Sequence, residues 1–312
     1  MSGTEITATR ITGRQRPSKL LRKEYLAFYL FASPWLLGLL FFTLGPTIAS
    51  FVLSFSEYPL IVAPTWIGLA NYANMITDEL IVQALKVTFL YSLGAVPLGL
   101  TAAFLIAILM NQGIHGIRVF RTVYYLPAII SGVPVALVWM WVLNPDFGVL
   151  NSALRTIGIQ GPAWLFNREW VIPAFIMMSL WNVGAPMVIF LAGLQGIPQH
   201  LYEAAEIDGA TTIERFFYVT IPMMSPVILF NLVLGVIGSF QIFTPAYIMT
   251  SGGPANASLF YGLYLYDNAF RFLKMGYASA LAWLMFMIIL ILTLLIFRLT
   301  GRWVYYEGSI QS

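Results

Sequence analysis

Six long apolar runs, almost free of charged side chains, limit what this chain can fold into. They cover about residues 26–55, 84–110, 122–143, 170–194, 223–250 and 277–297. A helix needs roughly 20 such residues to cross the hydrocarbon of a bilayer. Inside hydrocarbon every backbone N–H and C=O must find a partner within the protein, and a continuous apolar run achieves this as a helix. The expected fold class is therefore an all-α membrane protein with six transmembrane helices. Composition agrees: 59% of the 312 residues are hydrophobic and 9% are charged, against roughly 25% charged in soluble domains.

Six spans put both ends of the chain on one side. Eleven of the sixteen Lys and Arg residues fall on that side: the tail (Arg10, Arg14, Arg16, Lys19, Arg22, Lys23), Arg118, Arg121, Arg215, Arg298 and Arg302. Lys86, Arg155, Arg168, Arg271 and Lys274 fall opposite. Because basic residues concentrate in cytoplasmic segments, both termini are expected in the cytoplasm. The organisation is then a basic cytoplasmic tail (1–25), a six-helix domain (26–300) and a cytoplasmic C-terminal tail (301–312). No cleavable signal peptide is expected, since the first apolar run is far longer than an h-region. Trp139 and Trp141 stand as interfacial anchors at the outer end of the third span. The Met pairs, Met177 and Met178, Met285 and Met287, read as packing.

The chemistry that is missing narrows the function. Cysteine is absent, which excludes disulfides, thiolate metal sites and cysteine nucleophiles. His115 and His200 are too far apart in sequence to suggest a metal pair. Apart from Lys86 at an edge, the spans carry no ionisable acid, base or histidine, and ion-coupled carriers rely on such groups. No phosphate-cradling Gly-Lys-Ser/Thr loop occurs, so this chain has no nucleotide site of its own. A net charge of +3 is set by membrane sidedness and does not point to nucleic acid.

Between the fourth and fifth spans lies a strongly polar stretch, Glu203 to Pro222. It holds Glu203, Glu206, Asp208, Glu214 and Arg215. Pro198 suits the first turn of a helix, and the stretch from Gln199 to Asp208 contains good helix formers. Gly209 stops it where a left-handed residue is cheap. Thr211 with Glu214 forms a capping box that starts a second short helix, and Pro222 is expected to end that one. Two such short helices are marginal alone, so a docking partner is expected.

Glu203-Ala204-Ala205, then Gly209, then Pro222 resembles the cytoplasmic loop of permease subunits in binding-protein-dependent ABC importers; Asp208, Ala210 and Phe216 fit the fuller pattern. The stretch departs from that pattern at Val219-Thr220-Ile221-Pro222. The likeness extends over nearly everything after residue 26 and is closest to the carbohydrate uptake type 1 family, maltose- and glycerol-phosphate-like permeases, as a first permease subunit. It also rests on Gly68-Leu69-Ala70-Asn71-Tyr72, Leu126-Pro127, Trp139 with Asn144-Pro145, Leu194-Gln195-x-Ile197-Pro198 and Thr250-Ser251-Gly252-Gly253-Pro254. The resemblance is to the shorter members, expected without the large extra outer domain and additional N-terminal spans of the maltose permease.

The resemblance implies a type I importer fold in the bacterial inner membrane. It implies a second homologous permease, a dimer of ATP-binding subunits carrying ATP and Mg, an extracytoplasmic solute-binding protein and a sugar, an oligosaccharide by its expected class. No cofactor is assigned to this chain. Residues 196–222 become the coupling loop, with Glu203, Ala204, Ala205, Asp208, Gly209 and Pro222 as its coupling residues. Small Ala204 and Ala205 would let the helix sink into a groove, Glu203 would pair with a basic partner, and Gly209 would set the angle between the helices.

For the sugar site the candidates are the polar and aromatic residues of spans four and five: Trp181, Asn182, Ser239, Gln241 and Tyr247. Trp181, Asn182 and Ser239 fall at pocket positions of the resembling family. Gly184-Ala185-Pro186 should bend span four and free backbone groups there. Asn231 is assigned to helix–helix hydrogen bonding instead. A stand-alone channel or facilitator is the alternative, but it leaves the polar loop without a purpose; a membrane enzyme or scaffold lacks any catalytic grouping.

Overall fold

The computed structural model describes residues 19–113, 115–130 and 132–301. Most of the predicted basic tail, including Arg10, Arg14 and Arg16, and the C-terminal tail with Arg302, lie outside the described residues. The chain divides into two units, residues 1–52 and 53–312.

The first unit is one long apolar helix in three pieces: α1 (Lys19–Gly38), a π-turn (Leu39–Leu44) and α2 (Gly45–Leu53). It begins at Lys19, so the end of the predicted tail is already helical. Its apolar side chains point outward, with Phe31 84% and Phe42 85% exposed, as a lipid-facing span requires.

The second unit opens with a small hairpin, β1 (Ser56–Glu57) antiparallel to β2 (Thr65–Trp66), and α3 (Ala70–Thr77). The next helices are α4 (Glu79–Met110), α5 (Ile117–Ile129), α6 (Gly132–Val142), α7 (Val149–Thr156), α8 (Val171–Ser179) and α9 (Gly184–Gln195). The loop helices α10 (Gln199–Ile207) and α11 (Thr212–Arg215) follow, then α12 (Ile221–Phe240), α13 (Thr244–Met249), α14 (Tyr261–Tyr266) and α15 (Met275–Thr300). Four helical stretches, 23–53, 79–110, 212–249 and 275–300, are long and apolar enough to span alone. Counted as one span each, the bent pairs α5–α6 and α8–α9 bring the number to six. The third run is thus two helices, α5 and α6, where one span over about 122–143 was expected.

Pro222, expected to end a helix, is absorbed, and so is Pro46. Pro46 and Pro222 each follow a π-turn, Leu39–Leu44 and Phe216–Thr220, by one residue. In both, the preceding residue reaches back five positions: Gly45 N–H to Leu40 O, and Ile221 N–H to Phe216 O. Proline has no N–H for the carbonyl four residues back and its ring collides with it; a widened π-turn supplies the room. Pro222 therefore does not end the second loop helix. α11 runs through the π-turn into α12 as one rod, helical from Thr212 to Phe240.

Small residues bring the helices together. A Cβ on Gly184 would lie 2.4 Å from the Tyr124 carbonyl oxygen, and one on Gly94 would lie 2.4 Å from Ile176. Arg121 of α5 closes the open end of α4, its guanidinium donating to Met110 O at 2.7 Å. At the opposite end the 251–274 segment folds inward. Tyr261 is fully buried, its N–H donating to Thr88 Oγ1 at 2.9 Å and its hydroxyl to Leu281 O at 2.8 Å. Among the described residues, every buried side-chain nitrogen and oxygen has a hydrogen-bond partner, as apolar surroundings demand.

Candidate functional site

The loop between spans four and five forms as its capping chemistry dictates. Pro198 occupies the N-cap of α10, one position before the expected first turn. Gly209 ends α10 at φ +81°. Around it, Ala210 N–H donates to Ala205 O at 2.9 Å and Gly209 N–H to Glu206 O at 3.0 Å, a double closure of the helix end. Thr211 and Glu214 make the capping box: Glu214 N–H donates to Thr211 Oγ1 and Thr211 N–H to Glu214 Oε2 at 2.7 Å. The backbone N–H and the hydroxyl of Thr211 hold the Glu214 carboxyl below its ordinary value.

The two short helices are tied to each other and to span five. Arg215 pairs with Glu206 at 3.2 Å, and the Tyr202 hydroxyl meets Thr220 Oγ1 at 3.0 Å. Glu203 accepts from Gln199 Nε2 at 2.9 Å. Glu203, Ala204 and Asp208 are exposed and Ala205 is half-buried. Ile207, Ile213 and Tyr218 are 87%, 70% and 80% exposed. These three were missed from sequence, although apolar side chains inside the chain's most polar loop are the signal of a surface that something covers.

Inside the bundle α4, α5–α6, α8–α9 and α12–α13 surround a cavity of about 550 Å³. Span four bends by 48° at its edge, after a 3₁₀ turn over Leu180–Asn182, as Gly184-Ala185-Pro186 led one to expect. Trp181, Asn182 and Ser239 line the cavity together. Asn231, assigned to packing, lines it too while donating to Val227 O at 2.9 Å. Ser239 shares a hydrogen bond of 2.7 Å with Ser92 across α4 and α12. No Asp, Glu, Lys, Arg or His is among the lining residues.

Gln241 and Tyr247 do not reach this cavity. The residues 241–243 break span five, and Tyr247 lies beyond the break, 41% exposed and stacked on Phe243 at 5.5 Å. Trp139, expected as an interfacial anchor, is half-buried against the core and edge-on to Trp181 at 6.2 Å, while Trp141 is 53% exposed. Met178 is buried as expected, whereas Met287 is 45% exposed.

A polar knot sits at the end of the bundle away from the 199–215 loop. Asp78 caps α4, accepting Leu80 N–H at 3.0 Å, and its other oxygen accepts the hydroxyls of Tyr264 and of Tyr277, the latter at 2.6 Å. Burial works to raise the Asp78 pKa, but the two phenols and the Leu80 and Ile81 amides outweigh it and hold the carboxyl below its ordinary value.

Residues 95–304 match the family described as the inner membrane component of binding-protein-dependent transport systems. The chain belongs to that family. It is accordingly a multi-pass membrane permease and not itself an enzyme. A probable ABC transporter permease of Bacillus subtilis, YesP, is 46% identical over 299 residues, covering 94% of this chain and 96% of that protein. The arabinooligosaccharides transport system permease AraP of Halalkalibacterium halodurans is 31% identical over 88% of this chain and 87% of its own. The lactose transport system permease LacF of Rhizobium radiobacter is 33% identical over 86% and 92%. A crystal structure of a bacterial ABC transporter for the acidic polysaccharide alginate aligns with a TM-score of 0.79 at 24% identity, over 91% of this chain and 98% of that one. The permease shares the type I importer fold of that structure.

Proposed function

We propose that this permease translocates a neutral sugar, an oligosaccharide by preference, delivered by an extracytoplasmic solute-binding protein and driven by ATP hydrolysis on separate subunits. The observation that carries the sugar assignment is the cavity itself. It offers an indole (Trp181), amides (Asn182, Asn231) and a hydroxyl (Ser239), with no fixed charge. Amides both donate to and accept from sugar hydroxyls, and an indole face packs on the apolar face of a pyranose. An anionic substrate would more naturally meet Arg or Lys. At about 550 Å³, the cavity lies within the usual range of about 300–1,000 Å³ for ligand sites. The relatives named for arabinooligosaccharides and lactose support the same substrate class.

In this mechanism a second permease completes the pathway and a pair of ATP-binding subunits, which hold ATP and Mg, receive residues 196–222 in the cytoplasm. Ala204, Ala205 and the apolar flank of Ile207, Ile213 and Tyr218 form the docking face. Glu203 and Asp208 supply charge beside it, and Gly209 sets its bend. Pro222 acts through the π-turn that makes α11 and span five one rod, so displacement of the docked loop turns α12 and opens the cavity to alternate sides. The organisation into tails 1–25 and 301–312 around residues 26–300 belongs to the same proposal.

Each neutral hydrogen bond contributes only about 0.5–1.5 kcal/mol, so capture selectivity rests on the binding protein and the cavity holds its sugar weakly. Asn182→Ala is expected to reduce uptake several-fold while sugar binding by the solute-binding protein is unchanged. A polyanionic ligand recovered from the purified complex and held by this chain alone would overturn the neutral-sugar assignment.

A further inference from the structure

Four aromatic rings lead away from the cavity, and nothing in the mechanism above uses them. Phe243 sits in the break of span five, between Ile242 and Pro245, both of which line the cavity. Its ring lies 5.5 Å from Tyr247 and 4.8 Å from Tyr266; Tyr247 and Tyr266 are 5.3 Å apart, and Tyr266 is 5.0 Å from Phe270. The series ends close to the start of α15 at Met275, at the end of the bundle opposite the 199–215 loop. It therefore joins the cavity to the face from which an importer receives its solute.

The rings are held but not covered. Tyr247 is 41% and Phe270 57% exposed. The π-turn over Asp267–Arg271 carries Phe270 one turn beyond Tyr266, and π-turns are frequent at functional sites. That turn is pinned from behind: Asp267, 6% exposed, pairs with Arg271 at 3.1 Å, and Asn268 donates to Tyr264 O at 2.9 Å. The start of α14 presses on the span-five break, where a Cβ on Gly262 would lie 2.9 Å from Ile242 O. Exposure is greatest at Phe270, the ring farthest from the cavity.

We infer that Phe243, Tyr247, Tyr266 and Phe270 form an entry track on which successive pyranose units of an oligosaccharide stack as it passes from the outer face into the cavity. The inference rests on the proposed sugar import and extends it to chain length. Phe243, Tyr247 and Tyr266 touch one another as a triangle from which Phe270 extends outward, so a longer saccharide reaches Phe270 while a short one does not. A disaccharide that already fills the cavity gains little from Phe270. Rigid aromatic platforms cost little entropy to employ, and an aromatic partner contributes about 0.5–1.5 kcal/mol beyond buried area. The track is thus a selectivity filter for length and not for sugar identity.

The test uses the complete complex in proteoliposomes, with a graded series of neutral oligosaccharides, disaccharide upward, of the sugar eluted from the cognate binding protein. Phe270→Ala, at an exposed position, is expected to lower uptake of the longest member roughly two- to tenfold while disaccharide uptake and basal ATPase activity hold. Phe270→Trp should restore the long-chain rate. In the cysteine-free background, the longest saccharide should protect a Phe270→Cys variant from maleimide. Equal loss at every chain length, or no loss at any length with normal wild-type transport, overturns the track. So does blocking of the Phe270→Cys variant by the second permease without saccharide, which would make the rings a subunit interface. Absence of any saccharide uptake by the unaltered complex overturns the proposed function itself, and the track with it.

Discussion

Asp78 should be the most costly single polar residue to remove from the outer end of the bundle. It joins the start of α4 to Tyr264 and Tyr277, 186 and 199 residues away in sequence. Hydrogen bonds to a charged group contribute about 1.5–3 kcal/mol each, and half exposure of the carboxylate favours the low end of that range. Loss of the N-cap adds about 1 kcal/mol. Because contacts sharing one atom do not add in full, Asp78→Ala is expected to cost about 3 kcal/mol. Asp78→Asn keeps a neutral acceptor and should cost about 1 kcal/mol. The assay is a double-mutant cycle on unfolding of the purified protein in detergent. With Tyr264→Phe and Tyr277→Phe already present, Asp78→Ala should cost only its capping share, about 1 kcal/mol. The same cost in both backgrounds would refute the knot. The pH dependence has a definite sign. The folded pKa is depressed, so the stabilisation is present in full above the unfolded value of about 3.9 and is lost as pH falls through the folded value. Midpoints should therefore be insensitive to Asp78 protonation near neutrality, and the gap between wild type and Asp78→Asn should narrow only in strong acid.

Gly209→Pro removes the left-handed closure at φ +81°, and Ala205→Trp places an indole on the docking face; both should abolish uptake while insertion and pairing with the second permease persist, and normal uptake by both would remove the coupling role. A cysteine at position 205 should crosslink to the ATP-binding subunit. With no native cysteine, single cysteines report sidedness directly: positions 118 and 215 should be labelled only from the cytoplasm, and 155 and 271 only from outside. Labelling of position 215 from outside sealed cells would invert the topology.

Local chemistry made much of this legible in advance. The apolar runs predicted six spans, and Gly209, Thr211 and Glu214 act on neighbours within a few residues, so the loop's shape could be read directly. Gly184-Ala185-Pro186 marked the bend of span four for the same reason. Pro222 misled, because a proline that ends a helix and one relieved by a π-turn look alike until the Phe216 carbonyl finds its partner. Whether the second short helix stands alone or is the first turn of span five was hidden with it. The Asp78 knot and the burial of Tyr261 against Thr88 depend on pairings across 173 or more residues, which a single sequence does not display. For the cavity, residue type picked out Trp181, Asn182 and Ser239, which line it together, and Gln241 and Tyr247, which lie off it although Ile242 and Pro245 belong to its lining; the break at 241–243 interrupts the helical periodicity, so which side chains beyond Ser239 face the cavity is not countable from the sequence.

ATP dependence of solute accumulation tests the central claim most directly. The permease pair, its ATP-binding subunits and the cognate solute-binding protein would be placed in proteoliposomes with a labelled form of the sugar that the binding protein carries. Accumulation against a gradient that requires both ATP and the binding protein, and that Gly209→Pro abolishes, is the predicted result. Equilibration of the sugar through this chain without ATP would mark a passive facilitator and contradict the account.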